Sequence, residues 1–244
     1  MLRDSFQKFK KQSLILIFIL IGCSANSQVL ISLLFGKFLN SGKVEFGLDG
    51  GLNLATIDGL PNAQTTSCFN LGFYFDIKTA HPSWLVHTGV IVKSRMGTEG
   101  LPVYSLNNDN LDEAFASGSV RRELSYFNVP IMMKYKFNPR IYAEAGPMLG
   151  LLYKAYDKFS TKVIEKEDLN YQRDIESQFH KIDAGMMAGI GYRLMNGHGM
   201  NLGIRGYYGL TNIATSADVP KQYNRSLYFV VGIPIGAGKV PKTE

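Results

Sequence analysis

Ten charged residues recur on the polar side of alternating segments. Glu45, Asp49, Asp76, Glu144 and Asp183 stand against Lys93, Arg95, Lys134, Arg193 and Arg205. Five acids facing five bases inside a closed space imply mutual neutralisation, since an unpaired buried charge is costly. Such a set can plug an interior, or it can carry protons or small ions. Patterns for covalent or metal chemistry are weaker. His81, His87, His180 and His198 are scattered, and none forms the His-Glu-x-x-His repeat of a metal site. His180 and Asp183 offer an acid–base pair without a matched nucleophile. Gly232–Lys239 has five residues between its outer glycines where a phosphate loop has four, and Val240 stands where Ser or Thr would hold a cation. Asn107, Asn108, Asp109, Asn110, Asp112 and Glu113 are hard oxygen donors suited to Ca²⁺. They lack the glycine and spacing of a calcium loop and read as a solvated acidic segment. No catalytic residue, metal site or cofactor is assigned.

The elements that carry the ten charges have a period of two, so each is a strand with one apolar and one polar side. Eight such segments run over 43–55, 68–78, 84–95, 124–137, 141–153, 182–194, 200–213 and 226–235. In 124–137, Phe127, Val129, Ile131, Met133 and Tyr135 share one face. Asn128, Pro130, Met132, Lys134 and Lys136 share the other. Each segment is long enough for the ~9–11 residues of a tilted bilayer crossing. The connections alternate: 56–67, 96–123, 154–181 and 214–225 are long, while 79–83, 138–140 and 195–199 are short. Short turns at one end, long loops at the other and an even strand number are the habit of outer-membrane barrels. The fold expected is all-β: an eight-stranded antiparallel up-and-down transmembrane β-barrel over 43–236. Phe75, Trp84, Phe137 and Tyr192 fall on the apolar face near the short turns, and Phe127 and Tyr153 near the long loops, as two headgroup belts would. Periodicity does not say which face is outside, so a soluble periplasmic ligand-binding β-barrel is the alternative. Substitution separates the two: Arg at Ile131 should disrupt a membrane barrel, and Gln at Met132 should be tolerated better.

The chain begins as an exported one does. Arg3, Lys8, Lys10 and Lys11 precede an apolar run from Leu14 to Ile21, and Ala25-Asn26-Ser27 supplies a cleavage site before Gln28. A second reading cleaves before Cys23, where Leu20-Ile21-Gly22-Cys23 resembles a lipobox. Residues 1–27 are thus read as a signal peptide, 28–42 as an apolar extension and 237–244 as a polar tail. The signal carries four Lys/Arg and one acid, so its removal takes the net charge from +6 to +3. The high pI belongs to targeting and is no nucleic-acid footprint. Cys68 is left without a partner for an internal disulfide.

Four stretches resemble the PorT-like outer-membrane β-barrel family: GLDGGLNLATIDG (47–59), YFNVPIMMKYKF (126–137), YAEAGPMLGLLY (142–153) and GYYGLTNI (206–213). The resemblance spans about residues 43–236. It implies an eight-stranded barrel integral to the outer membrane, without catalytic residues to carry over, whose namesake is tied to type IX secretion. The polar ending Gly236–Glu244 departs from a terminal aromatic. The expected function is a non-enzymatic structural or interaction module, an accessory of secretion or of the envelope. Its expected contacts are outer-membrane lipid and a protein partner at loops 96–123 and 154–181. An outer-leaflet enzyme using His180 and Asp183 is the remaining alternative.

Overall fold

Alternating side chains give each strand two unlike faces, and closing the sheet hides one of them. A computed structural model of the chain describes residues 43–162 and 168–235. The expectations for the signal, the extension and the tail fall outside those residues. The strands are β1 (Val44–Asp58), β2 (Thr66–Lys78), β3 (Trp84–Leu101), β4 (Ser119–Lys136), β5 (Ile141–Lys162), β6 (Asp168–Asp174), β7 (Ile182–Arg193), β8 (Asn201–Gly209) and β9 (Tyr223–Pro234). Eight of them form a ring, each antiparallel to the next, with β1 paired to β9 and β5 to β7. The ninth, β6, pairs with the outer half of β5.

The apolar face is outside. Leu52, Phe69, Ile131, Leu149, Ile182, Ile190, Ile204 and Phe229 are exposed, while Asn53, Asn70, Met132, Asp183, Arg205 and Tyr228 are buried within. Such a band of exposed aliphatic side chains belongs in lipid. Aromatic contacts mark its borders. Trp84 and Tyr135 lie 4.8 Å apart, and Tyr135 and Phe137 5.1 Å apart, near the short turns. Phe127 stacks on Tyr153 at 4.5 Å near the long loops. The soluble barrel is thereby overturned, because its apolar side would have to face inward.

The structure corrects the long-loop end. Residues 96–101 and 119–123 continue strands, leaving 102–118 as the loop, with a short helix α1 (Asp109–Phe115) inside it. Segment 154–181 is mostly a hairpin of β5 and β6 and not an open loop. Its charges hid an alternation in which Ala155, Asp157, Phe159 and Thr161 point inward. Phe159 packs against Phe115 and Tyr104, so the hairpin and α1 bury each other beyond the barrel. In the other direction, β8 stops at Gly209, short of the expected 213.

Candidate functional site in the barrel interior

Cross-strand register assembles the interior charges. Lys134 on β4 is opposite Glu144 on β5, Glu144 is opposite Gly189 on β7, and Gly189 is opposite Arg205 on β8. Asp76 on β2 is opposite His87 on β3. These rows converge on one buried cluster near the short turns. Lys134 Nζ donates to Asp76 Oδ2 at 2.8 Å and lies 3.5 Å from Glu144 Oε2. Arg205 is clamped between two carboxylates: Nε donates to Glu144 Oε1, and Nη1 to Asp49 Oδ2 at 2.8 Å. Arg205 Nη2 lies 3.1 Å from His87 Nε2. His87 Nδ1 lies 2.6 Å from Asp76 Oδ1 and 3.3 Å from Lys134 Nζ. Closer to the short-turn mouth, Arg193 Nη2 donates to Glu45 Oε2 at 2.6 Å, and Tyr74 Oη donates to Glu45 Oε1 at 3.1 Å.

Glycines on the polar face make room for this packing. A Cβ at Gly191 would stand 2.2 Å from the Tyr142 ring, and one at Gly47 would stand 2.3 Å from the Tyr74 ring. Lys134 Nζ lies 4.5 Å from the centre of the Tyr142 ring, so that ring is held from both sides. Gly191→Val is therefore expected to cost about 1–3 kcal/mol through overpacking. The double variant with Tyr142→Ala should cost less than the sum of the two single changes. Urea unfolding of the refolded barrel measures both.

The outer half of the interior is apolar, although the inward face of the strands reads as the polar one. Met132, Met148 and Met187 pack with Tyr126, Tyr207, Tyr228 and Leu152 in one buried cluster, capped by Ile175, Phe179 and Ile213. Asp183 sits at this level, apart from the ionic cluster. Its carboxylate accepts from Thr211 Oγ1 at 2.9 Å and from Asn224 Nδ2 at 2.8 Å. His180 is exposed in the loop, so Asp183 and His180 do not form a site.

Two of the ten charged residues are not in the interior. Lys93 and Arg95 are exposed on the outside. Ile91 pairs with Asn128 and Ser94 with Tyr126, so Val92 and Lys93 together oppose Phe127. This bulge adds one residue and reverses the phase of β3 beyond it. Lys93 then lies over the Phe69 ring at 5.8 Å. Arg95 lies 3.7 Å from Glu123, which also receives Lys158 at 2.8 Å. His87, one of the four scattered histidines of the sequence, joins the buried cluster although it is not among the ten charged residues. Its membership could have been read from the alternation that puts it in phase with the other interior positions.

Beyond the barrel, a second set of charges holds the outer sheet. Arg122 donates to both oxygens of Asp157 at 2.8 and 2.7 Å, and Tyr104 Oη donates to the same carboxylate at 3.0 Å. Burial and the Asp157 charge push the Tyr104 phenol above its ordinary value. The acidic loop residues are engaged locally. Asp112 accepts from the Leu106 N–H and from Ser105 Oγ, which hold its carboxyl below the usual range. Asn108 caps α1 by accepting from the Leu111 N–H.

A barrel with an apolar exterior and a packed interior is one of the few forms that can cross a bilayer by strands. The model of the outer membrane protein beta-barrel domain family matches residues 26–215. The chain belongs to that family. It is an integral protein of the outer membrane, and its apolar band contacts lipid. Among solved structures it is similar to Ail, the attachment invasion locus protein of Yersinia pestis, at 12% identity and a TM-score of 0.41, covering 79% of this chain and 99% of that one. It is also similar to Neisserial surface protein A at 12% identity and a TM-score of 0.39, covering 78% and 96%. A third is OprG from Pseudomonas aeruginosa, at 12% identity and a TM-score of 0.37, covering 79% and 93%. No curated protein matches the sequence.

Proposed function

We propose that this barrel is a non-enzymatic interaction module of the outer membrane, which works through its outer sheet and not through its lumen. One observation carries the reading. The interior is filled by an ionic cluster at one end and by a Met- and Tyr-rich core at the other. Eight strands leave room for little more than side chains. What projects from the membrane is a sheet of the outer parts of β3 to β5 with β6, stiffened by the Arg122–Asp157 pair and by α1. A rigid surface of that kind suits a protein partner. The PorT-like resemblance supports the finer reading, an accessory of type IX-like protein secretion.

The test replaces residues 156–174 by a short turn in cells that depend on the barrel for export. The shortened chain is expected to insert and to keep its heat-dependent shift on a denaturing gel, while secretion falls. Export at the full rate would remove the outer sheet from the function. Stepwise conductance by the purified full chain in planar bilayers would overturn the filled-lumen reading.

A further inference from the structure

Above the lipid-facing band, the outer wall of β3 to β5 is cationic. Lys93, Arg95, Arg121, Lys154 and Lys158 lie on it, against Glu99, Glu123 and, on β6, Asp174. One carboxylate serves three of these cations. Lys158 Nζ is 2.8 Å from Glu123 Oε2, Arg121 Nε is 3.4 Å from Oε1, and Arg95 Nη1 is 3.7 Å from Oε2. Arg121 also lies 4.0 Å from Glu99 and reaches across β3 to donate to the Ser67 carbonyl at 2.9 Å. Lys158 and Arg121 thus hold Glu123, and Arg95 keeps most of its charge. Lys93 and Lys154 make no ion pair among the described residues.

Two bulges put this charge outside. On β3 the pairing passes from Ile91–Asn128 to Ser94–Tyr126, and on β5 from Leu152–Tyr126 to Lys154–Ser125. Each adds one residue at the same level, on either side of β4, and each reverses the phase of its strand. Without them Lys93 and Arg95 would share the inward parity of Ile91, and Lys154 that of Leu152. With them Arg95, Ser125 and Lys154 form one outward row across three strands, and Lys93 stands two residues from Arg95 on the same face. Ser125 is small, so the three long side chains can converge above it.

The row has a definite depth. It is two residues beyond Phe127, which stacks on Tyr153. Two residues are about 6–7 Å of strand, and the polar layer outside the hydrocarbon is roughly 5–8 Å deep. Below the row, Phe69, Val92, Phe127 and Leu151 are exposed to acyl chains. The opposite wall has no such surplus: Arg225 on β9 donates to Asp58 at 3.1 Å and lies over the Tyr208 ring. A protein partner would approach from beyond the membrane, whereas Lys93 lies over the Phe69 ring, in the lipid-facing wall itself. A phosphate accepts several charge-assisted hydrogen bonds at once. We propose that Lys93, Arg95 and Lys154 bind the phosphate of an anionic outer-leaflet lipid, whose chains lie along Phe69, Val92, Phe127 and Leu151.

The test is native mass spectrometry of the purified full chain in detergent, titrated with phosphatidic acid or with diacylglycerol of the same chains. One phosphatidic acid should be retained per barrel, and diacylglycerol should not. The triple variant Lys93→Gln, Arg95→Gln, Lys154→Gln should weaken retention at least tenfold while keeping the heat-dependent shift on a denaturing gel. Lys78→Gln, Lys136→Gln, Arg140→Gln removes the same charge at the short-turn end and should leave retention within about twofold. Should the first triple variant fail to assemble, Lys154→Gln alone, at an exposed position, should weaken retention about threefold. Equal retention by the first triple variant, an equal loss in the second, or equal retention of diacylglycerol would each overturn the proposal. Inorganic phosphate that displaces the lipid at equal concentration would also overturn it, because the site would then belong to a soluble anion.

Discussion

Arg205→Leu is expected to destabilise the folded barrel by about 3–5 kcal/mol, the cost of leaving buried charges without their partner. Arg205 is 4% exposed and touches Glu144, Asp49 and His87. Leucine removes the guanidinium and leaves the three carboxylates of Asp49, Asp76 and Glu144 with the single ammonium of Lys134, away from water. Arg205→Lys should fall between wild type and Arg205→Leu, because one ammonium cannot reproduce a fork that reaches three groups. Glu144→Leu placed on Arg205→Leu should recover part of the loss, since one of the carboxylates in excess goes with it. Lys181→Ala is the control. Its exposed pair with Glu176 should matter by less than ~1 kcal/mol. Urea unfolding followed by fluorescence of Trp84, the sole tryptophan, reads all four. Equal costs for Arg205→Leu and Lys181→Ala would mean that the interior is wet and the cluster is not a structural plug.

The sequence made the ring legible for a physical reason. Inside a bilayer one face must be apolar along its whole length, and that constraint writes a clean period of two into each crossing. The short turns leave no slack, so strands were placed within a residue or so at that end: β2 ends at Lys78 and β4 at Lys136, against expected ends of 78 and 137. Outside the membrane the constraint lapses. The stretch 154–174 can pair as a hairpin while presenting charge to water, and its alternation is muted. A bulge is harder still to see. Val92-Lys93 reads as uninterrupted alternation, yet the extra residue turns Lys93 and Arg95 outward. Asp49, Asp76, Lys134, Glu144 and Arg205 were in one candidate set because parity alone puts them inside. That they meet at bonding distance follows from register, which composition does not encode. The interior methionines were on the right face, but a polar-face label concealed that Met132, Met148 and Met187 form a core.

That last difference changes what substitution on β4 should do. Ile131→Arg is expected to cost ~2–4 kcal/mol, the price of a cation at the bilayer midplane. Ile131 is 46% exposed on the outer face. It lies four residues from Tyr135 in the lower aromatic belt and four from Phe127 in the upper one, so it stands at mid-depth. An Arg there can reach neither headgroup layer without bending back along the wall. Met132 is the adjacent residue and points the other way, 1% exposed among Met148, Met187 and Tyr207. A glutamine at Met132 would strand an amide among apolar side chains, so it is not the mild change that a polar lumen would allow. Met132→Leu keeps the volume and the apolar character and should cost less than ~1.5 kcal/mol. The informative comparison is therefore between two media. In lipid vesicles Ile131→Arg should be far worse than Met132→Leu. In a detergent micelle, where headgroups and water come close to the wall, the gap should narrow while the Met132→Leu value stays put. If Ile131→Arg is as stable as wild type in vesicles, that side chain is not in lipid and the outward face has been misread.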